Sequence, residues 1–189
     1  MKTDILASFP AMMANVREKE PIVQAITNFV TVNDCANIIL AAGASPTMAH
    51  EVEEVAEVAS VVQGLVMNMG TMEDVEAMLV AGKAANEAGV PVVLDPVAVG
   101  ATRLRREGGK KLLENVKFSV IRGNTSEIKH LAVGTGSTRG VDAAEEDKSP
   151  RTTTKPLDIW QENWHGKQGQ SLPFLASLTS SLLLTVCLP

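Results

Sequence analysis

The sequence is poor in cysteine and in aromatic residues. It holds two cysteines, Cys35 and Cys187, no tyrosine and only 3% aromatic residues. Two cysteines so far apart form neither a metal-binding spacing nor a disulfide framework. The three histidines, His50, His130 and His165, are scattered and also lack the spacing of metal ligands. These absences argue against a zinc-binding or disulfide-stapled domain, and they predict a protein of the reducing cytoplasm.

An excess of positive charge is also absent, because 17 Lys and Arg stand against 22 Asp and Glu. Nucleic acids are bound by basic faces, so we expect no nucleic-acid partner. Residues 1–21 carry Asp4 and have the pattern of an amphipathic helix, not of a signal peptide. The uncharged run 171–189 is just under the roughly 20 residues of a membrane span and contains Pro173. We therefore expect no membrane anchor.

The composition changes abruptly near residue 148. As far as Ala144, apolar runs alternate with helical periodicity, as in a globular domain. Residues 148–170 are polar, hold both tryptophans and have no sustained period, and the uncharged run follows them. We therefore predict one domain over residues 1–147 and an aberrant tail over residues 148–189.

Four apolar runs of strand length end in turn residues: Ile22–Ile26, Val62–Met67, Val90–Leu94 and Phe118–Ile121. Helical patterns separate these runs. One helix is predicted from a Thr31 cap to Ala42, closed by Gly43. A second opens with Thr71 and Asp74 as a capping box and ends at Gly89. It places one apolar stripe on Val75, Met78, Leu79, Gly82 and Ala85. Asn124 caps a further short helix. This alternation predicts an α/β fold with a parallel sheet flanked by helices.

Polar or small residues follow each predicted strand: Asn28; Asn68, Met69 and Gly70; Asp95; and Arg122, Gly123 and Asn124. Ligands of open parallel sheets bind at the carboxyl ends of the strands, where these residues should gather. An acid, an arginine and several amides suit a phosphorylated ligand with magnesium. Asn, Asp and Gly are also common turn formers, so the spacing alone leaves both interpretations open.

Four long strings are more specific than this pattern: AITNFVTVNDCANIILAAGASPTMAHEVEE, GLVMNMGTM, AGKAANEAGVPVVLDPVAVGATRLR and IRGNTSEI. Over roughly residues 1 to 145 the chain resembles the hydroxyethylthiazole kinases of thiamine salvage. The resemblance implies a ribokinase-like fold and a trimer with active sites between subunits. It also implies transfer of the γ-phosphoryl group of ATP to the primary hydroxyl of 4-methyl-5-(2-hydroxyethyl)thiazole.

The resemblance also assigns roles to residues at matching positions. It implies thiazole contacts at Met48, Asn28 and Gly70, ATP contacts at Arg122 and Asn124, and a magnesium site at Asp95 and Glu127. Magnesium carboxylates and an arginine are the groups that phosphoryl transfer requires. Without the motifs, Met48 would be read as a core methionine, Arg122 as part of a surface salt bridge, and Glu127 as part of a solvated helix face.

The resemblance stops where the family's second half should begin. That half holds a strand reading A-I-T-G-E on the ATP side. It also holds a G-T-G-C segment whose amides bind the transferring phosphate and whose cysteine lies at the reacting hydroxyl. Neither string is present, and Cys187 in TVCLP does not replace the second. We therefore expect a sheet that is incomplete on its C-terminal side, no catalytic residue in this chain and negligible activity.

A shifted reading frame explains the tail. Translation one base out of register restores Ala at Gln161 and His165 and Leu at Trp164, and later permits Gly-Glu-Leu-Asp-Ile-Val. We therefore expect a single-base deletion, or its equivalent, between about Val141 and Ser149. The sequence leaves open whether this change is biological or a sequencing fault. It also leaves two alternative functions open, a related hydroxymethylpyrimidine kinase and a non-catalytic remnant that binds thiazole or intact subunits.

Overall fold

The structure, a computed structural model, describes residues 5–133, 138–139, 142–143, 174–177 and 183–187. Its strands are Ile22–Ile26 (β1), Ser45–Thr47 (β2), Gly64–Asn68 (β3), Val92–Asp95 (β4), Val120–Asn124 (β5), Thr138–Arg139 (β6), Asp142–Ala143 (β7), Phe174–Ser177 (β8) and Leu183–Cys187 (β9). Its α-helices are Ile5–Lys19 (α1), Val32–Ala42 (α2), Val55–Val61 (α3), Val75–Ala88 (α4), Arg103–Asn115 (α5) and Thr125–Val133 (α6). The predicted boundary at residue 147 and both tryptophans lie outside the described residues.

Five strands form a parallel sheet in the order β2-β1-β3-β4-β5, which confirms the predicted ribokinase-like α/β fold. Continuous Val, Ile and Leu runs form such strands because both faces of a parallel sheet are covered. Beyond β5 the sheet continues with β9 and β8, which come from the predicted tail and pair antiparallel. In that pairing, Asn124 lies opposite Leu183 and Val120 lies opposite Cys187.

The strand order creates a switch point between β1 and β3. The chain leaves β1 toward β2 on one side and then returns to β3 on the other side. Because right-handed crossovers carry these two connections over opposite faces, a crevice opens where the carboxyl ends of β1 and β3 diverge. The sheet order therefore indicates the ligand site without reference to any side chain.

The helix ends that glycine was predicted to form are confirmed. Gly43 closes α2 at φ +96° and Gly89 closes α4 at φ +73°, both in the left-handed region. Thr31 occupies the predicted N-cap position of α2, but neither Thr31 nor Thr71 makes the predicted side-chain cap hydrogen bond. A 3-10 turn over Met72–Asp74 precedes α4, so this helix begins one turn later than predicted.

Besides the 3-10 turn and the strands that follow α6, three elements were not predicted: β2, α3 and α5. The first is only three residues long and contains Pro46, so it shows no alternation. Helix α5 is strongly polar, and only Gly108, Gly109 and Leu112 are buried on it. A stripe made of two glycines and one leucine has too little apolar surface to show the helical period in the sequence.

The main core lies on the face of the sheet that α3, α4 and α5 cover. Leu65, Met67 and Leu94 of the sheet are fully buried and share one apolar cluster with the predicted stripe of α4. Each fully buried side chain of this size contributes about 1.5–3 kcal/mol relative to an exposed one. Helices α1 and α2 lie beside each other, and α2 has no buried residue. The other face of the sheet, on the side of α1 and α2, is therefore much less covered by helices.

Candidate functional site

Two asparagines meet at the switch point between β1 and β3. The Nδ2 atom of Asn28 donates to Oδ1 of Asn68 over 3.0 Å, and the backbone N–H of Gly70 donates to the same oxygen over 2.8 Å. The Oδ1 atom of Asn28 accepts from the N–H groups of Val30 and Thr31, at 3.0 and 3.1 Å. Asn28 therefore holds the turn that leads into α2, and it also joins the ends of two strands.

Gly70 lies so close to these asparagines that it has no room for a side chain. A Cβ atom at this position would lie 2.7 Å from both Cβ and Nδ2 of Asn28, and 2.7 Å from Oδ1 of Asn68. The glycine therefore serves close approach of the backbone, since its φ is not in the left-handed region. The structure thus brings together two of the three predicted thiazole contacts, Asn28 and Gly70.

The third predicted thiazole contact, Met48, lies directly after β2, at the same edge of the sheet. Its side chain is partly buried, and its carbonyl oxygen accepts from Nδ1 of His50 over 3.0 Å. Among the hydrogen bonds of the described residues, none joins Met48 to Asn28 or Gly70. Met48 therefore lies at the same edge as Asn28 and Gly70 because β2 runs parallel to β1.

Asp95 and Arg122 form an ion pair at the ends of β4 and β5. The Nη1 atom of Arg122 lies 2.8 Å from Oδ2 of Asp95, and the two side chains are 48% and 17% exposed respectively. Burial raises the pKa of the Asp95 carboxyl above its ordinary value, while hydrogen bonds from Arg122 and Asn68 oppose this rise. The pair places the carboxylate beside the crevice and leaves the guanidinium half open to solvent.

Asn124 and Glu127 form a reciprocal capping box at the start of α6. Oδ1 of Asn124 accepts from the N–H of Glu127 over 2.9 Å, and Oε2 of Glu127 accepts from the N–H of Asn124 over 2.8 Å. This confirms the Asn124 cap. Oε1 of Glu127 accepts from the N–H of Ala98, at 2.9 Å. Glu127 is only 4% exposed, so the alternative of a solvated helix face is wrong.

Burial raises the pKa of the Glu127 carboxyl, and the negative charge of Asp95 raises it further. The two backbone N–H groups and the charge of Arg122 act in the opposite direction. The carboxylates of Asp95, at the end of β4, and of Glu127, in the first turn of α6, therefore repel one another. A cation between them would relieve this repulsion.

A magnesium ion suits these two carboxylates. Magnesium prefers oxygen ligands and is commonly held by one or two carboxylates together with phosphates. Each oxygen of Glu127 accepts one N–H and keeps a second lone pair, and Asp95 is not fully buried. In the part of the chain that the structure describes, no group of three or more His, Cys, Asp or Glu could hold a metal. Two carboxylates suit a cation that also binds ligand phosphates.

The sequence did not single out Arg105, the last residue of the third string. Its guanidinium donates to the carbonyl oxygens of Met69, Gly70 and Val97, in the loops after β3 and β4. Oγ1 of Thr102 caps α5 by accepting from the N–H of Arg105. The only sequence signal is an arginine in the first turn of a helix, and this does not reveal a side chain that reaches back 35 residues.

Comparison with known proteins gives a consistent result. The model of the hydroxyethylthiazole kinase family matches residues 13–158. Hydroxyethylthiazole kinase of Clostridium acetobutylicum is 58% identical over 159 residues, which are 83% of this chain and 58% of that protein. The enzyme of that name from Thermoanaerobacter pseudethanolicus is 59% identical over 130 residues, which are 68% of this chain and 49% of that protein.

A solved structure, that of a hydroxyethylthiazole kinase protein from Pyrococcus horikoshii OT3, matches with a TM-score of 0.69 at 32% identity. The match covers 88% of this chain and 59% of that chain. The present chain therefore spans about half the length of these relatives. The family match runs past the predicted boundary at residue 147 and leaves residues 159–189 outside it.

Proposed function

We propose a function from one premise: the chain belongs to the hydroxyethylthiazole kinase family. The activity that we propose for the whole protein is transfer of the γ-phosphoryl group of ATP to the hydroxyl of 4-methyl-5-(2-hydroxyethyl)thiazole, in thiamine biosynthesis. For the present chain we propose the substrate and metal side of that site. We expect negligible phosphorylation without the anion-binding segment, because losing a single anion-hole donor costs about 2.7–4 kcal/mol.

One observation in the structure supports this function above the others. The Asn28–Asn68–Gly70 network and the Asp95–Arg122 pair lie at the ends of adjacent strands, next to the switch point. An uncharged cluster of amides beside an acid and an arginine suits a small neutral alcohol that receives a phosphoryl group. A row of ordinary turn formers would not need hydrogen bonds between the ends of neighbouring strands.

Each residue then has a proposed task. Asn28, Gly70 and Met48 orient the thiazole alcohol, and Met48 offers a polarizable contact to its sulfur. Arg122 and Asn124 bind ATP phosphates, and Arg122 also pairs with Asp95. Asp95 and Glu127 would hold magnesium, which when bound neutralises phosphate charge as phosphoryl transfer proceeds.

We also propose a homotrimer, as the family resemblance implies. Helices α1 and α2 expose apolar side chains that a monomer leaves in water, namely Phe9, Met12, Ile38 and Leu40 together with Phe29 and Val30 of the preceding loop. The loop of Phe29 and Val30 continues directly from Asn28. An apolar face that adjoins the crevice supports a site that is completed by a second copy of the chain.

Calorimetry with two alcohols tests the proposed function. We expect the chain to bind the hydroxyethylthiazole, to bind a hydroxymethylpyrimidine at least tenfold more weakly, and to release no measurable thiazole phosphate with ATP and magnesium. Asn28→Ala should abolish thiazole binding. Its control is Asn86→Ala, because Asn86 also bonds to backbone, at Lys117, but lies outside the site.

Three outcomes would contradict parts of the proposal. Preference for the pyrimidine would favour the related kinase, and failure to bind either alcohol would remove the substrate role. Turnover of the thiazole by the pure chain would show that the residues present suffice for catalysis. Binding without turnover is also what a non-catalytic remnant would give. Stronger thiazole binding in the presence of magnesium and ATP would favour the proposed role over the non-catalytic remnant.

The predicted tail remains a separate proposal. We propose that residues 148–189 are translated out of frame, as the restored Ala and Leu codons support. Within the described residues no helix is long and apolar enough to cross a membrane, and a cytoplasmic location stays a prediction. Resequencing the DNA from the codon of Gly140 to beyond the stop tests the frame. Unchanged, in-frame codons would contradict it.

A further inference from the structure

Arg105 stands between the two halves of the site, and its contacts differ from those of an ordinary surface arginine. Within the ion pairs of the described residues it has no carboxylate partner. All its side-chain hydrogen bonds go to backbone carbonyl oxygens in the loops that follow β3 and β4. A guanidinium is planar and carries its donors in a fixed fork, so these bonds fix the relative position of the two loops.

The loop after β3 receives two of these bonds. Nη1 donates to the carbonyl of Met69, and Nη2 donates to the carbonyl of Gly70 over 2.9 Å. The peptide that joins Met69 to Gly70 is planar and trans, so its N–H points away from its carbonyl. That N–H, on Gly70, donates to Oδ1 of Asn68, which also accepts from Asn28. Arg105 thus orients the peptide on which the asparagine network depends.

The loop after β4 repeats this arrangement. Nη1 of Arg105 donates to the carbonyl of Val97 over 3.1 Å, and the other end of the same peptide, the N–H of Ala98, donates to Oε1 of Glu127. Ala98 is buried and has φ +54°, a left-handed conformation that alanine rarely adopts. Bonds at both ends of this peptide hold the strained turn between Asp95 and α5.

We infer that Arg105 is a positioning residue that couples the substrate side of the site to its metal side. One guanidinium bonds to two peptides whose far ends bond to Asn68 and to Glu127. A continuous hydrogen-bonded chain therefore runs from Asn28, through Arg105, to the capping box of α6. Bonds linked in this way polarise and align one another. The coupling is a property of the structure, and its effect on ligands rests on the proposed function.

Amide hydrogen exchange measured by NMR on the full chain tests the coupling directly. In Arg105→Met, which keeps the length of the side chain and removes its donors, we expect the Gly70 and Ala98 amides to exchange together on the order of tenfold or more faster than in the wild type. Leu65, a fully buried residue of β3, is the reference amide and should keep its rate. Arg106→Met is the matched control, because Arg106 donates to one exposed carbonyl, that of Gly100.

If Arg105→Met does not fold, Arg105→Lys tests the coupling between the two loops instead. Lysine keeps the charge without the fork, so we expect both amides to exchange faster while Leu65 does not. Unchanged rates at Gly70 and Ala98, or a change at only one of them, would overturn the coupling. An equal increase at Leu65 would also overturn it, because it would show a merely global loss of stability.

Thiazole calorimetry on the same variants separates the two proposals. If the wild type binds, Arg105→Met should bind on the order of tenfold to a hundredfold more weakly, and Arg106→Met should match the wild type. If the wild type does not bind, the proposed function fails, while the exchange rates still decide the coupling.

Discussion

At the scale of single residues, the site is built from side chains that hold backbone in place before they meet any ligand. Oδ1 of Asn68 accepts from Asn28 and from the N–H of Gly70, and both oxygens of Glu127 accept backbone N–H groups. Such bonds leave each group with few alternative orientations. The same bonds also make each group sensitive to small changes in its neighbours.

Gly70→Ala tests the close approach at the asparagines. The new methyl group would lie 2.7 Å from atoms of both Asn28 and Asn68, so one of them must move. We expect a loss of about 1–3 kcal/mol in the free energy of unfolding, together with weaker thiazole binding. Gly64→Ala is the control, because a Cβ atom there would lie 4.0 Å from Cγ2 of Val23, an ordinary van der Waals contact. Urea denaturation of the two variants measures the difference, and equal effects would contradict this account.

Asp74 provides a test of pH dependence away from the site. It is buried at the start of α4, and burial raises the pKa of its carboxyl, while His50 lowers it and Glu73 and Glu51 raise it further. A carboxyl whose pKa is higher in the folded state than in the unfolded state adds stability that is fully present below the unfolded pKa. That stability is lost as pH rises through the folded pKa.

We therefore expect the stability of the wild type, relative to Asp74→Asn, to fall as pH rises from about 3.9, the ordinary aspartate value. Denaturant unfolding of both proteins across the acid range measures this difference. Glu73→Gln, at the exposed neighbouring position, should differ from the wild type by less than about 0.5 kcal/mol. If the wild type instead became more stable relative to Asp74→Asn as pH rises, the Asp74 carboxylate would be stabilised in the folded state and this prediction would be wrong.

At the scale of elements, the helix ends that glycine determines and the Asn124 start of α6 were predictable, whereas the start of α4 was not. A left-handed C-terminal residue is a local requirement that glycine meets almost alone. The turn that leads into α2 depends on the bond between Asn28 and Asn68 of β3, and α4 begins only after a 3-10 turn that contacts α5. Strand bounds shifted for the same reason, because strands end where pairing ends.

The two glycine caps give a matched pair of substitutions. Gly89→Ala has no neighbour within 4 Å, so it measures the left-handed strain alone, about 1 kcal/mol. Gly43→Ala carries the same strain, and its methyl also meets Cγ of Arg17 in α1 at 2.6 Å. We therefore expect Gly43→Ala to be the more destabilising of the two in urea denaturation. Arg17→Ala should reduce the difference between the two glycine variants in a double-mutant cycle. Equal destabilisation by Gly43→Ala and Gly89→Ala would mean that Arg17 moves aside at little energetic cost.

At the scale of the whole molecule, the two faces of the sheet differ in how well helices cover them. The face under α3, α4 and α5 holds the main core, whereas α2 has no buried residue and exposes apolar side chains. A face of this kind is normally covered in the functional assembly. The proposed homotrimer accounts for it without further assumptions about the chain.

Ile38→Asp should therefore shift the assembly toward monomers in sedimentation velocity. The matched control is Val61→Asp at the end of α3, because Val61 and Ile38 are both 68% exposed and lie on opposite faces of the sheet. We expect Val61→Asp to sediment as the wild type does. A wild-type monomer, or equal effects of both variants, would contradict an interface at α2.

The sequence by itself determined the parallel strands, the glycine helix ends, the family, and the edge of the sheet where Asn28, Asp95 and Arg122 gather. These features depend on local periodicity, on backbone preference, or on strings long enough to be specific. Only the tertiary structure decided that Glu127 also bonds to Ala98 and that Arg105 joins two loops. Arg105 reaches Gly70 across 35 positions in the chain. A contact of that kind depends on where the sheet places its loops, and no local pattern in the sequence encodes it.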